Sequence, residues 1–189
     1  MRPFVFLLFF LIVLIPNVSQ SGALKKEVAP SLYSAGNIYL LRHALAPGTG
    51  DPDNFNVNDC KTQRNLSNEG RSQAFRIGKK LRANLKIAPQ IFSSQWCRCK
   101  ETAKILNLGY VTELPILNSF FENFHLKDKQ TSQLKDWLFR LNDKTPIILV
   151  THQVNITALT EAYPSSGEII VVRMTGLGGV KIVGRVSTD

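Results

Sequence analysis

The sequence is short of acidic residues and short of cysteine. Fourteen Asp and Glu stand against 23 Lys and Arg, a formal net charge of +9 over 189 residues. At 44% apolar residues, the chain is too apolar for a disordered polyelectrolyte and too charged for an integral membrane bundle. There is no internal repeat and no low-complexity tract, so a single domain with a tail is expected. Aromatic and basic residues do not interleave as they do in single-strand binders, which argues against a nucleic-acid partner despite the positive charge. The three cysteines, Cys60, Cys97 and Cys99, allow at most one intramolecular disulfide. They also lack the C-x₂₋₄-C pair of structural zinc sites, so no metal site is expected.

Long apolar runs are equally scarce. Phe4 to Ile15 is unbroken for twelve residues and holds four of the eleven phenylalanines. As a helix it would rise about 18 Å, short of the roughly 20 residues that cross a bilayer. Arg2 precedes it, Pro16 ends it, and Ser19, Ser21, Gly22 and Ala23 follow. This is the pattern of a secretory signal peptide, residues 1–23, ahead of a domain at 24–189 with no stable membrane span after cleavage. No cysteine closes the run, which argues against a lipoprotein. The expected location is periplasmic or secreted. In such an oxidising compartment Cys60 can pair with Cys97 or Cys99 and staple two distant segments.

From Ile38 onward, strand-like and helix-like stretches alternate. Strands are expected at Ile38–Leu41, Ile91–Phe92, Tyr110–Thr112, Ile147–Val150, Ile169–Val172 and Val180–Val183. One helix carries Ala74, Ile77, Leu81 and Leu85 at helical spacing, with Ser67 placed to cap it and Glu69 in its first turn. Further helices are expected through Ala103 and Leu106, across Leu134, Trp137, Leu138 and Leu141, and from Asn155 to Ala162. Asp51–Asn65 reads as a polar loop. The fold class is α/β, a three-layer sandwich with a mostly parallel central sheet flanked by helices.

In such a sheet ligands bind beyond the carboxyl ends of the strands. Arg42 and His43 follow one apolar strand directly, and His152 follows another. Arg98 lies just past the Ile91–Phe92 strand in Ser93-Ser94-Gln95-Trp96-Cys97-Arg98. Two arginines and two histidines converging there would hold a tetrahedral oxyanion, since the guanidinium fork matches phosphate oxygens bidentately. His125 has no such placement and is expected at the surface.

These segments resemble the histidine phosphatase superfamily, the phosphoglycerate mutase-like fold. Leu41-Arg42-His43-Ala44, Arg64 through Arg71, Ser93-Ser94 through Arg98 to Ala103, and Val150-Thr151-His152 occur in that family's order. The resemblance implies that His43 is the nucleophile and forms a phosphohistidine. It implies that Arg42, Arg98 and His152 hold the phosphoryl oxygens, and that Glu122 is the nearest match for the general acid. Asp51 is a second candidate acid, and Arg64 a further substrate contact. No cofactor is implied, because arginines take the place of a magnesium clamp. Two departures stand out: Ala44 replaces the usual glycine, and the residues around Glu122 match poorly.

The implied activity is that of a compact, exported, metal-independent phosphatase acting on a phosphomonoester or phosphoramidate. Its partner would be a phosphorylated small molecule or envelope component. The alternative is a non-catalytic phosphate or anion binder on the same scaffold.

Overall fold

The apolar run Ile38–Arg42 forms β1, with its first four side chains buried, and Ile147–Thr151 forms β4, buried throughout. Strands apolar on both faces require helices on both sides of a sheet. The computed structural model describes residues 30–141, 145–176 and 178–187 and has that architecture. The other strands are β2 (Gln90–Ser93), β3 (Val111–Glu113), β5 (Ile169–Met174) and β6 (Val180–Val186). They form one six-stranded sheet in the order β3-β2-β4-β1-β5-β6. β1 to β4 run parallel, whereas β5 is antiparallel to both β1 and β6. The sheet is therefore mostly parallel, as expected, with an antiparallel edge built from the final hairpin.

Helices α1 (Asn68–Asn84) and α2 (Cys97–Leu106) cover one face, and α3 (Lys127–Arg140) and α4 (Gln153–Thr160) the other. Strict alternation along the strands divides the core accordingly. Tyr39, Leu41, Ile148 and Val150 pack with Ile77 and Leu81 of α1 and Ala103 and Leu106 of α2. Ile38, Leu40, Ile147 and Leu149 pack with Leu134 and Leu138 of α3 and Ile156 of α4.

The α1 start conforms to the sequence pattern: Ser67 Oγ accepts from the Gly70 N–H at 3.0 Å. Gly70 has a second role. A Cβ there would lie 2.0 Å from the Leu45 carbonyl oxygen, so only glycine lets α1 pass so close to the chain leaving β1. Several boundaries move, most of them by strands running one to three residues further than expected. β3 begins and ends one residue later than expected. α4 starts two residues earlier, directly after His152, which becomes its N-cap. The expected signal segment, 1–23, lies outside the described residues. Among those described, no helix is long and apolar enough to cross a membrane.

Candidate active site

Parallel pairing brings three strand ends together. In the β1–β4 register Arg42 stands opposite Thr151, and the ladder continues one step as His43 N–H donates to Thr151 O at 2.9 Å. On the other side of β4, Ser94 N–H donates to Val150 O at 2.9 Å. His43, His152 and the Ser94–Arg98 turn thus meet at one edge of the sheet. They floor a cleft of about 260 Å³ that Arg42, Arg64, Asp51 and Glu122 also line.

The two imidazole rings lie edge to face, with centroids 5.5 Å apart. His43 Nδ1 sits 2.8 Å from the Ala44 carbonyl oxygen, which can only accept. Nδ1 therefore carries the proton, and Nε2 keeps a free lone pair. Burial, followed by the charge of Arg98, pushes the His43 pKa down to about 3 even though the Ala44 carbonyl works against this. The ring is neutral at ordinary pH. His152 is shifted well downward too, first by burial and then by His43 and Arg98. Its Nε2 is held from behind by Ser94 Oγ at 2.9 Å, with the Cys99 thiol 3.5 Å away. Asn118 backs Ser94: its Oδ1 lies 3.2 Å from Ser94 Oγ and accepts from Gln95 N–H at 2.9 Å.

Arg42 donates from Nη1 to Pro164 O at 2.9 Å, in the loop before β5. Arg98 is buried and held by Asp51. Its Nη1 and Nη2 donate to the two Asp51 oxygens at 2.7 and 3.1 Å, and Nη1 also reaches Arg64 O at 3.2 Å. The Nε–H groups of both Arg42 and Arg98 are buried without a protein partner among the described residues. Such orphaned donors are costly unless a ligand accepts from them. The amino end of α4, with no side chain capping it, adds its positive pole where Gln153 and Val154 line the cleft.

Asp51, a candidate acid on sequence grounds, is placed otherwise. Besides Arg98, its carboxylate accepts from the Arg64 N–H at 3.0 Å and Trp96 Nε1–H at 2.9 Å. Burial raises its pKa, but these hydrogen bonds and the Arg98 charge outweigh that and hold it below the usual carboxylate value. It is an ionised anchor for Arg98 with no proton to give. Glu122 reaches the cleft as an exposed side chain, its Oε1 accepting from the Asp51 backbone N–H at 3.2 Å. Arg64 lines the cleft with Nε donating to Gly50 O at 2.8 Å and Nη1 to Ala46 O. His125 is exposed and does not line it.

A disulfide joins Cys60 in the loop to Cys97 in the first turn of α2, so Cys99 is the free, buried cysteine. Gln63 ties the same two segments, its Oε1 accepting from Cys97 N–H at 2.9 Å, and Phe55 stacks on Trp96 with centroids 4.9 Å apart. The loop is latched over Arg98 by a covalent bond, a hydrogen bond, an ion pair and a ring stack.

Residues 38–125, which include Arg42, His43, Arg64, Arg98 and Glu122, match the family model of the histidine phosphatase superfamily (branch 1). Over those residues the chain is similar to that superfamily. Solved structures share its fold at low identity. One is the protein histidine phosphatase SixA complexed with tungstate, at 15% identity and TM-score 0.53, covering 80% of this chain and 97% of SixA. A second is a candidate α-ribazole-5′-P phosphatase from Escherichia coli, at 14% and 0.60, covering 82% and 98%. A third is a variant of the phosphoserine phosphatase from Entamoeba histolytica in complex with phosphoserine, at 19% and 0.55, covering 81% and 98%. No curated protein sequence matches the chain. In this chain Ala44 is fully buried, and its N–H donates to Thr102 Oγ1 at 3.1 Å. Sequence reasoning missed three participants: Asp51 as the Arg98 partner, the Ser94–Asn118 backing of His152, and the α4 amino end. Only the last left a signal, in the apolar Val154 and Ile156 so soon after His152.

Proposed function

We propose that the protein is a phosphatase that hydrolyses a phosphomonoester or phosphoramidate through a covalent phosphohistidine on His43. The observation that carries this is a pair of buried, unpartnered guanidinium Nε–H groups, on Arg42 and Arg98, beside a neutral imidazole whose Nε2 is free. Phosphate oxygens would accept from those donors and from the α4 amino end. In the first step the His43 Nε2 lone pair forms a bond to phosphorus while the bond to the leaving group breaks. Positive charge fixed around the three oxygens stabilises the transferring phosphoryl group. The departing oxygen or nitrogen takes a proton from Glu122, the carboxyl at the mouth of the cleft. In the second step water, giving its proton to Glu122, attacks phosphorus; the P–N bond breaks and inorganic phosphate leaves with neutral His43 restored. Arg64 and His152 complete the oxyanion cradle.

The apolar run at Phe4–Ile15 and the Cys60–Cys97 disulfide support an exported, periplasmic or secreted enzyme. The decisive experiment is a rapid quench with ³²P-labelled acetyl phosphate and a phosphomonoester panel. Acid-labile, base-stable label on the wild type and none on His43→Ala is the expected result. Retained phosphate binding without label or turnover on any donor would instead establish an anion-binding protein.

A further inference from the structure

The cleft is built in two zones of opposite character. Among the described residues the cations that line it are Arg98, Arg64 and Arg42, whose charges all bear on His43. Its walls toward the mouth are aromatic. The Trp96 ring meets the His152 ring edge-on at 5.4 Å, and Phe55 stacks on Trp96. The indole N–H is already spent on Asp51, so this wall offers a fixed, apolar surface beginning at the phosphate position. Phe121, 49% exposed, lines the same cleft beside Glu122, with Val154 also on the lining. An aromatic side chain half in water at a cleft mouth is a surface awaiting apolar contact.

Charge sharpens the reading. Among the described residues, Glu122 is the one exposed carboxylate of the lining, and no lysine lines the cleft. A second anionic group on a substrate would find no further cation on the described lining beyond the three arginines.

We propose that the aromatic walls form a leaving-group subsite, and that the preferred substrates are phosphomonoesters of uncharged alcohols carrying a planar ring close to the ester oxygen. This rests on the phosphatase reading above. It disfavours phosphorylated hydroxy acids, whose carboxylate would lie along the aromatic walls with no further described cation to meet it.

Three primary-alcohol esters separate the possibilities: 2-phenylethyl phosphate, ethyl phosphate and phosphoglycolate. The expected order of kcat/KM is 2-phenylethyl at least tenfold above ethyl, with phosphoglycolate lowest. In Phe121→Ala, on the surface and tolerable to the fold, the 2-phenylethyl to ethyl ratio should fall several-fold. Calorimetric binding of 2-phenylethylphosphonate and ethylphosphonate reads the same preference without turnover. Turnover of all three esters with a ratio near one, or a preference for phosphoglycolate, overturns the subsite and leaves the phosphatase standing. No turnover, but a tenfold phosphonate preference lost in Phe121→Ala, overturns the phosphatase and keeps the subsite.

Discussion

Asp51 grips Arg98 through both carboxylate oxygens, at 2.7 and 3.1 Å, and both side chains are buried. A buried pair of this kind is a weak source of net stability but a strong liability when one partner is removed. Asp51→Ala should therefore cost about 3–5 kcal/mol in urea unfolding, the range for an uncompensated buried charge. It should also lower kcat/KM a hundredfold or more, because Arg98 loses its orientation. Asp51→Asn, which keeps one carbonyl oxygen to accept from either the Arg64 N–H or Trp96 Nε1–H, should recover part of both. An alanine variant with wild-type stability and turnover would remove Asp51 from any positioning role.

Acid should act through the histidines before it reaches Asp51. Both imidazoles are held neutral in the native state, yet they take up protons near pH 6.5 once unfolded. The unfolded state therefore binds more protons below that pH, and stability falls as pH falls. The slope approaches about 1.4 kcal/mol per pH unit for each histidine. Asp51, with its pKa lowered, contributes stability that is present above the ordinary carboxylate value and lost as pH drops through the lowered one. Urea midpoints between pH 7.5 and 5 should show a shallower decline in His43→Gln than in wild type. Imidazole ¹⁵N shifts should keep His43 in the Nδ1–H neutral form down to about pH 4.5, about two units below the ordinary histidine value. A transition near 6.5 would contradict the geometry.

Reduction should loosen the site as well as the fold. The Cys60–Cys97 bond closes a segment of 37 residues, for which chain entropy suggests about 4 kcal/mol. Cys60→Ser should lose stability of that order and several-fold in turnover, and a reductant should change wild type but not the variant. Wild type should show a single titratable thiol, Cys99, whose pKa burial pushes up to about 12, and it should react only on unfolding. Rapid thiol modification of native protein would refute the pairing.

Gly70→Ala should be among the most damaging single-methyl changes in the protein. The new Cβ would collide with backbone at Leu45 rather than with a side chain able to move. Overpacking of this kind costs about 1–3 kcal/mol, and backbone that cannot yield lies at the upper end. Because Leu45 follows His43 by two residues, phosphate affinity should fall along with melting temperature. An unperturbed variant would mean that α1 can retreat without disturbing β1.

Much of the site could be read in advance because its residues sit at strand ends. Arg42, His43 and His152 needed only the apolar runs before them, and those runs became β1 and β4. What stayed hidden depends on orientation. Cys97 and Cys99 are two residues apart in one helical turn and so point to nearly opposite sides. Spacing could not say that Cys97 faces the loop while Cys99 lies against Thr151 and His152. Asp51 looked like an acid because a carboxylate in a loop carries no mark of its partner. The antiparallel edge escaped because an apolar strand reads the same in either direction.

The single rung linking His43 to Thr151 ties the chemistry to the slowest kind of contact in the chain. β1 and β4 are roughly a hundred residues apart in sequence, and their parallel pairing closes a very long loop before it gains anything. A slip of one residue along that ladder would turn one histidine away from the face the other occupies. Oxyanion binding by a refolding chain is therefore a late signal, one that reports the arrival of its most distant partners in correct register.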